Sequence, residues 1–215
     1  MERKYELLEG ETVDFYGKTL HRIRATESFG AVTEGEKGGF IEGYNNLDGD
    51  AWVAGDAKVC DNAKVYGNAV VRDNALVIAN AKVCGSAMVC GSASVCGDAI
   101  VDYRATVCGS ASVGSIAMVC GSASVGGDAI VRGNATISNA ADILTVFPLG
   151  YDNDSATFFK CADSKIRVIT NDFRGTIDEF SDTVAQEYGD SEYAQEYKLA
   201  IQLAKLKIKV EEESK

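Results

Sequence analysis

The sequence predicts a mainly β protein whose centre is a parallel β-solenoid. Three observations predict it. From residue 49 to residue 144 the chain divides into sixteen unbroken hexads, from GDAWVA to NAADIL. Their third residue is always Ala, and their fifth is Val in fourteen and Ile in two, Ile137 and Ile143. Their first residue is Gly in ten, and their second is Asp, Asn or Ser in thirteen. A period of six sustained over this length marks stacked structural repeats.

Each position of the hexad has a physical reading. Ala and Val two apart point to one face of a strand, and the fourth residue between them points the other way. That fourth position holds Lys58, Lys64, Ser94 and Thr106, so it reads as solvent-facing. Gly followed by Asp, Asn or Ser is turn chemistry, because Gly accepts positive φ and the short polar side chain bonds its local backbone. One hexad is therefore a short strand and a corner. It cannot bury its Val alone, but stacked coils bury a continuous column of Ala and Val.

The flanks read as caps. Residues 1–48 suggest a hairpin around "DFYGK", then a lead-in, "EGEKGGFIEGYNNL". Residues 49–144 are the repeat. Residues 145–215 change character: "ATFFKCADSKIRVIT" reads as a hairpin turning at Ala162-Asp163-Ser164. "GTIDEFSDTVAQEYG" reads as a helix with Thr176 as N-cap and two acids in its first turn. A second helix follows, with Tyr193, Tyr197, Ala200, Ile201 and Ala204 expected on one face. The acidic end, residues 211–215, is expected to fray. Caps of this kind close the open ends of a solenoid and block edge pairing.

The pattern Val-x-Gly-(Asp/Asn/Ser)-Ala-x is similar to the hexapeptide repeat of left-handed β-helices. That resemblance implies three hexads per triangular coil of 18 residues, about five coils, and the left-handed sense. The whole arrangement resembles a phage- and prophage-encoded class, the YdcK-type proteins, often labelled acyltransferases. The stretches that carry this are Gly38–Val53 and Phe173–Tyr197, with "GGFIE", "GT-x-DEF" and "YA-x-EY" among them.

Charge bears on partners. The formal net charge is −11, which argues against direct contact with nucleic-acid phosphates. The acidity sits on the flanks: residues 1–48 carry −4, the repeat −2 and residues 145–215 −5. An acidic stripe along the coils, as a nucleic-acid mimic would need, is absent from the sequence. No apolar run has membrane-span length, and the N-terminal stretch has no apolar core of signal-peptide length. A cytoplasmic protein with reduced thiols is the expectation.

The hexapeptide acyltransferases use a coil-borne histidine as general base. Here the one histidine, His21, precedes the coils. Six of the seven cysteines, Cys60, Cys84, Cys90, Cys96, Cys108 and Cys120, fall on the sixth position of a hexad. Folded at 18 residues per coil they sort into three corners, two to each, so they diverge instead of converging on a tetrahedral metal. Only Cys90 and Cys108 stack on adjacent coils, where parallel Cβ vectors disfavour a disulfide. They read as free thiols serving as small hydrophobes. No metal and no cofactor are expected.

What remains is binding. The fourth-position residues sort into three faces: Trp52, Val70, Met88, Thr106, Ser124; then Lys58, Leu76, Ser94, Ser112, Ile130; then Lys64, Lys82, Ile100, Met118, Thr136. The first face begins apolar, and Trp52, Val70 and Met88 are expected to meet a partner, a second subunit or the N-terminal cap. Tyr103-Arg104 and Ser115-Ile116 break the corner rule. Tyr beside Arg on a rigid corner has the composition of an interface hot spot, though drift in a tolerant turn would also produce it. The expected function is non-enzymatic binding of a host protein through Trp52, Val70, Met88, Tyr103 and Arg104. Inhibition of a bacterial defence system is what the phage-like resemblance adds. A hexapeptide-type acyltransferase, or an oligomer that sequesters a small anionic signal, are the alternatives; the shortage of basic corner residues counts against the second.

Overall fold

The computed structural model describes residues 3–210; the tail expected to fray lies outside them. Two long strands, β1 (Tyr5–Phe15) and β2 (Lys18–Ala25), form an antiparallel hairpin with Phe15 opposite Lys18. Its turn is Tyr16-Gly17, both at positive φ, the backbone that matches strand twist. β3 (Lys37–Ile41) pairs antiparallel with β2 on one edge and parallel with the repeat on the other.

Fifteen two-residue strands follow, β4 (Trp52–Val53) to β18 (Thr136–Ile137), one per hexad. They stack as three parallel sheets whose outward residues are the three faces read from the sequence. Trp52 pairs with Val70, Met88, Thr106 and Ser124 in turn. Lys58 leads to Ile130 on the second face, and Lys64 to Thr136 on the third. The result is a three-sided β-solenoid of about five turns. Every third-position Ala from Ala57 to Ala135 and every fifth-position Val or Ile from Val53 to Ile137 is buried. The first residues of these fifteen hexads all have positive φ, between 57° and 75°. At one column of corners the second residues bond upward: Asn62 Nδ2 donates to Asn80 Oδ1 at 3.1 Å, and Asn80 Nδ2 to Asp98 Oδ1 at 2.9 Å.

The coil begins earlier and ends earlier than the hexads suggest. Ile41 aligns with Val59 and Leu47 with Val65, so residues 39–48 already form two sides of a coil. The Ala slot there is Gly39, where an added Cβ would lie 2.6 Å from Ala57 O and 2.8 Å from Val53 Cγ1. Buried Asn46 replaces ladder bonds, donating to Asp61 O and Ala63 O at 3.1 and 2.9 Å. At the far end the sixteenth hexad leaves the solenoid. Its residues Ala140–Asp142 form a 3-10 turn, and Ile143 opens β19 (Ile143–Leu149). Asp142 ties that exit down, accepting from the Ser138 and Asn139 backbone amides and from the Ser138 hydroxyl.

β19 joins β20 (Asp154–Lys160), β21 (Ile166–Ile169) and β22 (Arg174–Thr176) in an antiparallel sheet. Two helices, α1 (Ile177–Tyr188) and α2 (Glu192–Lys207), pack on its other side. Thr176 caps α1 reciprocally with Glu179, as the sequence indicates. Both solenoid ends are plugged: Tyr5, Ile23 and Phe29 join the coil core at one end, and Ile143, Phe159 and Ile169 at the other.

α2 departs from expectation. Tyr197, Ala200, Ile201 and Ala204 are buried, but Tyr193 is 38% exposed and meets Tyr151 edge to face instead. The opposite side of the helix exposes Leu199, Leu203 and Leu206.

Candidate functional site

The expected apolar face is altered by the cap. Trp52 is 3% exposed, its ring edge-on to Phe29 at 5.7 Å between centroids. Gly38 lets β3 lie against it, since a Cβ there would come within 2.8 Å of Trp52 Cζ2 and 2.4 Å of Val53 O. The reading of Trp52 as an exposed binding residue is therefore corrected: it is part of the end plug. Val70 and Met88 stay on the first face but are half-buried.

The exposed apolar groups of the coils lie on the third face. Ile100 and Met118 are register neighbours on adjacent coils. Ile116 stands at the corner that feeds Met118, and Tyr103 at the corner that follows Ile100. Met118, Ile116 and Tyr103 are 40, 64 and 66% exposed. The sequence singled out Tyr103 and Arg104 at one edge of this face; the exposure of Met118 on it and of Ile116 at its other edge was not foreseen. The rule-breaking Ser115-Ile116 corner was the available sign.

The Tyr103 corner is held firmly. Its φ is +57°, a left-handed backbone that costs a bulky L-residue roughly 1–2 kcal/mol. Its amide donates to Asp102 Oδ1 at 2.6 Å, its carbonyl accepts from Ser86 N at 2.6 Å, and Arg104 N donates to Gly121 O at 3.0 Å. Below it Gly85 has no room for a Cβ, which would sit 2.7 Å from Asp102 Oδ1 and 2.8 Å from Tyr103 N. Gly85, Ser86, Gly121 and Ser122 form a shallow cleft around Tyr103 and Arg104. Small corners above and below leave the Tyr ring and the guanidinium standing clear of the wall.

Five of the thiols, Cys60, Cys84, Cys90, Cys120 and Cys161, are the opposite of activated nucleophiles. All seven are free. Burial pushes the Cys60 and Cys161 thiols up to about 11. Burial also raises Cys84, Cys90 and Cys120, with the Cys108 sulfur next in effect at Cys90. The Cys90 amide bonds Val107 O at 2.9 Å, so Cys90 and Cys108 do occupy neighbouring rungs of one face. His21 lies in β2 opposite Thr12 and Ile41, away from the coil corners.

One cluster has the donor types of a cation site. Ligand atoms of Glu42, Cys60 and Asp61 lie within 4.8 Å of one another. The Lys18 ammonium already bridges the two carboxylates, 3.2 Å from Glu42 Oε2 and in contact with Asp61 Oδ1. The Lys18 hydrogen bond holds the Asp61 carboxyl below its usual range, and Asp61 in turn raises Lys18. The ammonium takes the place a metal would need, and the group reads as a pin between cap and coil.

Among the described residues no helix is long and apolar enough to cross a membrane. Comparison with protein-family models gives no match, and comparison with curated proteins gives none.

Proposed function

We propose that this is a non-catalytic β-solenoid that binds another protein across its third face, with Ile100 and Met118 on the face, Ile116 at one edge and Tyr103 and Arg104 at the other. The observation that carries the reading is Tyr103. It is the one aromatic among fifteen corner residues of positive φ, the others being Gly, Asp, Ala or Ser. Backbone strain at an exposed bulky residue points to a use outside the fold. Tyr and Arg anchors beside exposed aliphatic groups are the composition of interface hot spots. The phage-like resemblance makes a host cytoplasmic protein the partner and inhibition of a defence system the outcome. A histidine outside the coils supplies no coil-borne base for acyl transfer, and burial raises the Cys60, Cys84, Cys90 and Cys120 thiols away from nucleophile duty.

The test is affinity capture with the tagged chain, quantified by mass spectrometry. Ile116→Asp, on the surface, should lose the captured protein by tenfold or more with unchanged thermal stability. Leu203→Glu, on the exposed side of α2, should keep it. Loss with Leu203→Glu and retention with Ile116→Asp moves the site to the C-terminal helix and overturns the assignment.

A further inference from the structure

The junction between the last coil and the C-terminal sheet gathers positive charge in a chain of net charge −11. A cavity of about 300 Å³ there is lined by Arg132, Arg167 and Arg174, with Ser115 at its rim and Phe159 and Ile169 on its floor. The topology explains the convergence. Phe159 is opposite Arg167, and Ile169 is opposite Arg174. Residues opposite each other in an antiparallel pair, and residues two apart, share a face. Phe159, Arg167, Ile169 and Arg174 therefore all stand on the side of the sheet that covers the solenoid end. Arg132, the sixth residue of its hexad, meets them from the coil.

The charges are not balanced locally. Arg167 Nη2 donates to Asp163 Oδ2 at 2.8 Å. Among the described residues neither Arg132 nor Arg174 has an ion-pair partner within 4 Å. The Nε atoms of Arg132 and Arg167 are buried without a hydrogen-bond partner. Asp163 is the carboxylate paired within this group of three guanidiniums and Glu179 acts on Arg167 through space, so the group keeps an excess of positive charge with planar donors unused. Guanidinium forks match the oxygen geometry of phosphate, and the charge remains at any working pH.

We infer that this pocket binds a small phosphomonoester dianion. The excess positive charge suits the dianion, and the guanidinium forks suit its oxygens. The apolar floor of Phe159 and Ile169 takes the organic part. The volume is at the lower end of ligand pockets, roughly 300–1,000 Å³, which favours a single monoester over a dinucleotide. The pocket abuts the proposed partner face at the Ser115-Ile116 corner but shares none of that face's named residues.

Isothermal titration of the full chain with phenyl phosphate at pH 7.5, against sodium chloride at matched ionic strength, tests it. Saturable binding at one site is expected, weakening as pH falls below the second phosphate pKa of about 6, because arginine does not titrate there. Arg174→Gln, at the exposed edge strand, should weaken binding at least tenfold with the fold intact by circular dichroism. Arg174→Lys should restore it only in part, since the charge returns without the fork. Absence of saturable binding overturns the inference, as does equal affinity in the wild type, Arg174→Gln and Arg132→Gln proteins.

Discussion

Trp52 and Phe29 meet edge to face, ring centroids 5.7 Å apart and planes at 79°. That contact turns the most conspicuous apolar residue of the repeat into the floor of a cap. The single tryptophan should emit as a buried indole and resist iodide quenching. Phe29→Ala should cost about 3 kcal/mol, the usual penalty for emptying an aromatic site, and should make Trp52 quenchable. A native protein with freely quenched tryptophan contradicts the packing.

The Tyr103 corner predicts opposite effects at two adjacent positions. Tyr103→Gly removes a left-handed penalty of roughly 1–2 kcal/mol and adds a glycine entropy cost of roughly 0.5–1 kcal/mol. Stability should stay level or rise by up to about 1.5 kcal/mol while partner capture falls. Gly85→Ala puts a Cβ 2.8 Å from Tyr103 N in a backbone that cannot retreat. It should lower stability by about 1–3 kcal/mol, the range for overpacking. Chemical denaturation of both variants reads the two signs.

The buried thiols predict an alkaline limit. Cys60 and Cys161 titrate near 11 in the fold, against about 9 for an unperturbed thiol. The folded state thus holds protons that the unfolded chain has released. Their contribution to stability is complete below about pH 9 and is lost as pH rises through 11. Cys161→Ala should flatten that decline in urea midpoints measured from pH 8 to 11. At pH 8 both thiols should react slowly with a disulfide reagent in the native protein and fully in denaturant.

The repeat was legible because its information is local. Ala, Val and the corner residues fix strand, turn and inward face within six residues, and the hexapeptide resemblance adds the count of 18. The three faces and the Cys90–Cys108 rung followed from that count alone. Ile41 and Leu47 were missed as coil residues because the Ala slot beside Ile41 is Gly39 and the residues before Leu47 form a 3-10 turn. Asn139 to Leu144 keeps the Ala and Ile of a hexad but has Asp142 turned inward, so the pattern continues where the coil stops. Trp52 and the arginine pocket depend on which surfaces dock: Phe29 is 23 positions from Trp52, and Arg132 lies 35 before Arg167. The outer stripe of α2 was hidden because the buried side already satisfied a helical period.

The central claim is that the third face, not the first, meets the partner. Site-specific photo-crosslinking tests it most directly, with benzoylphenylalanine placed at Met118 on the third face or Ser124 on the first. Both positions are exposed fourth residues of their hexads, so folding should tolerate both. The account predicts one covalent adduct of a single host protein from position 118 and none from 124, with the 118 adduct lost when Tyr103→Gly is added. Adducts from 124 alone, or a 118 adduct indifferent to Tyr103→Gly, would contradict it.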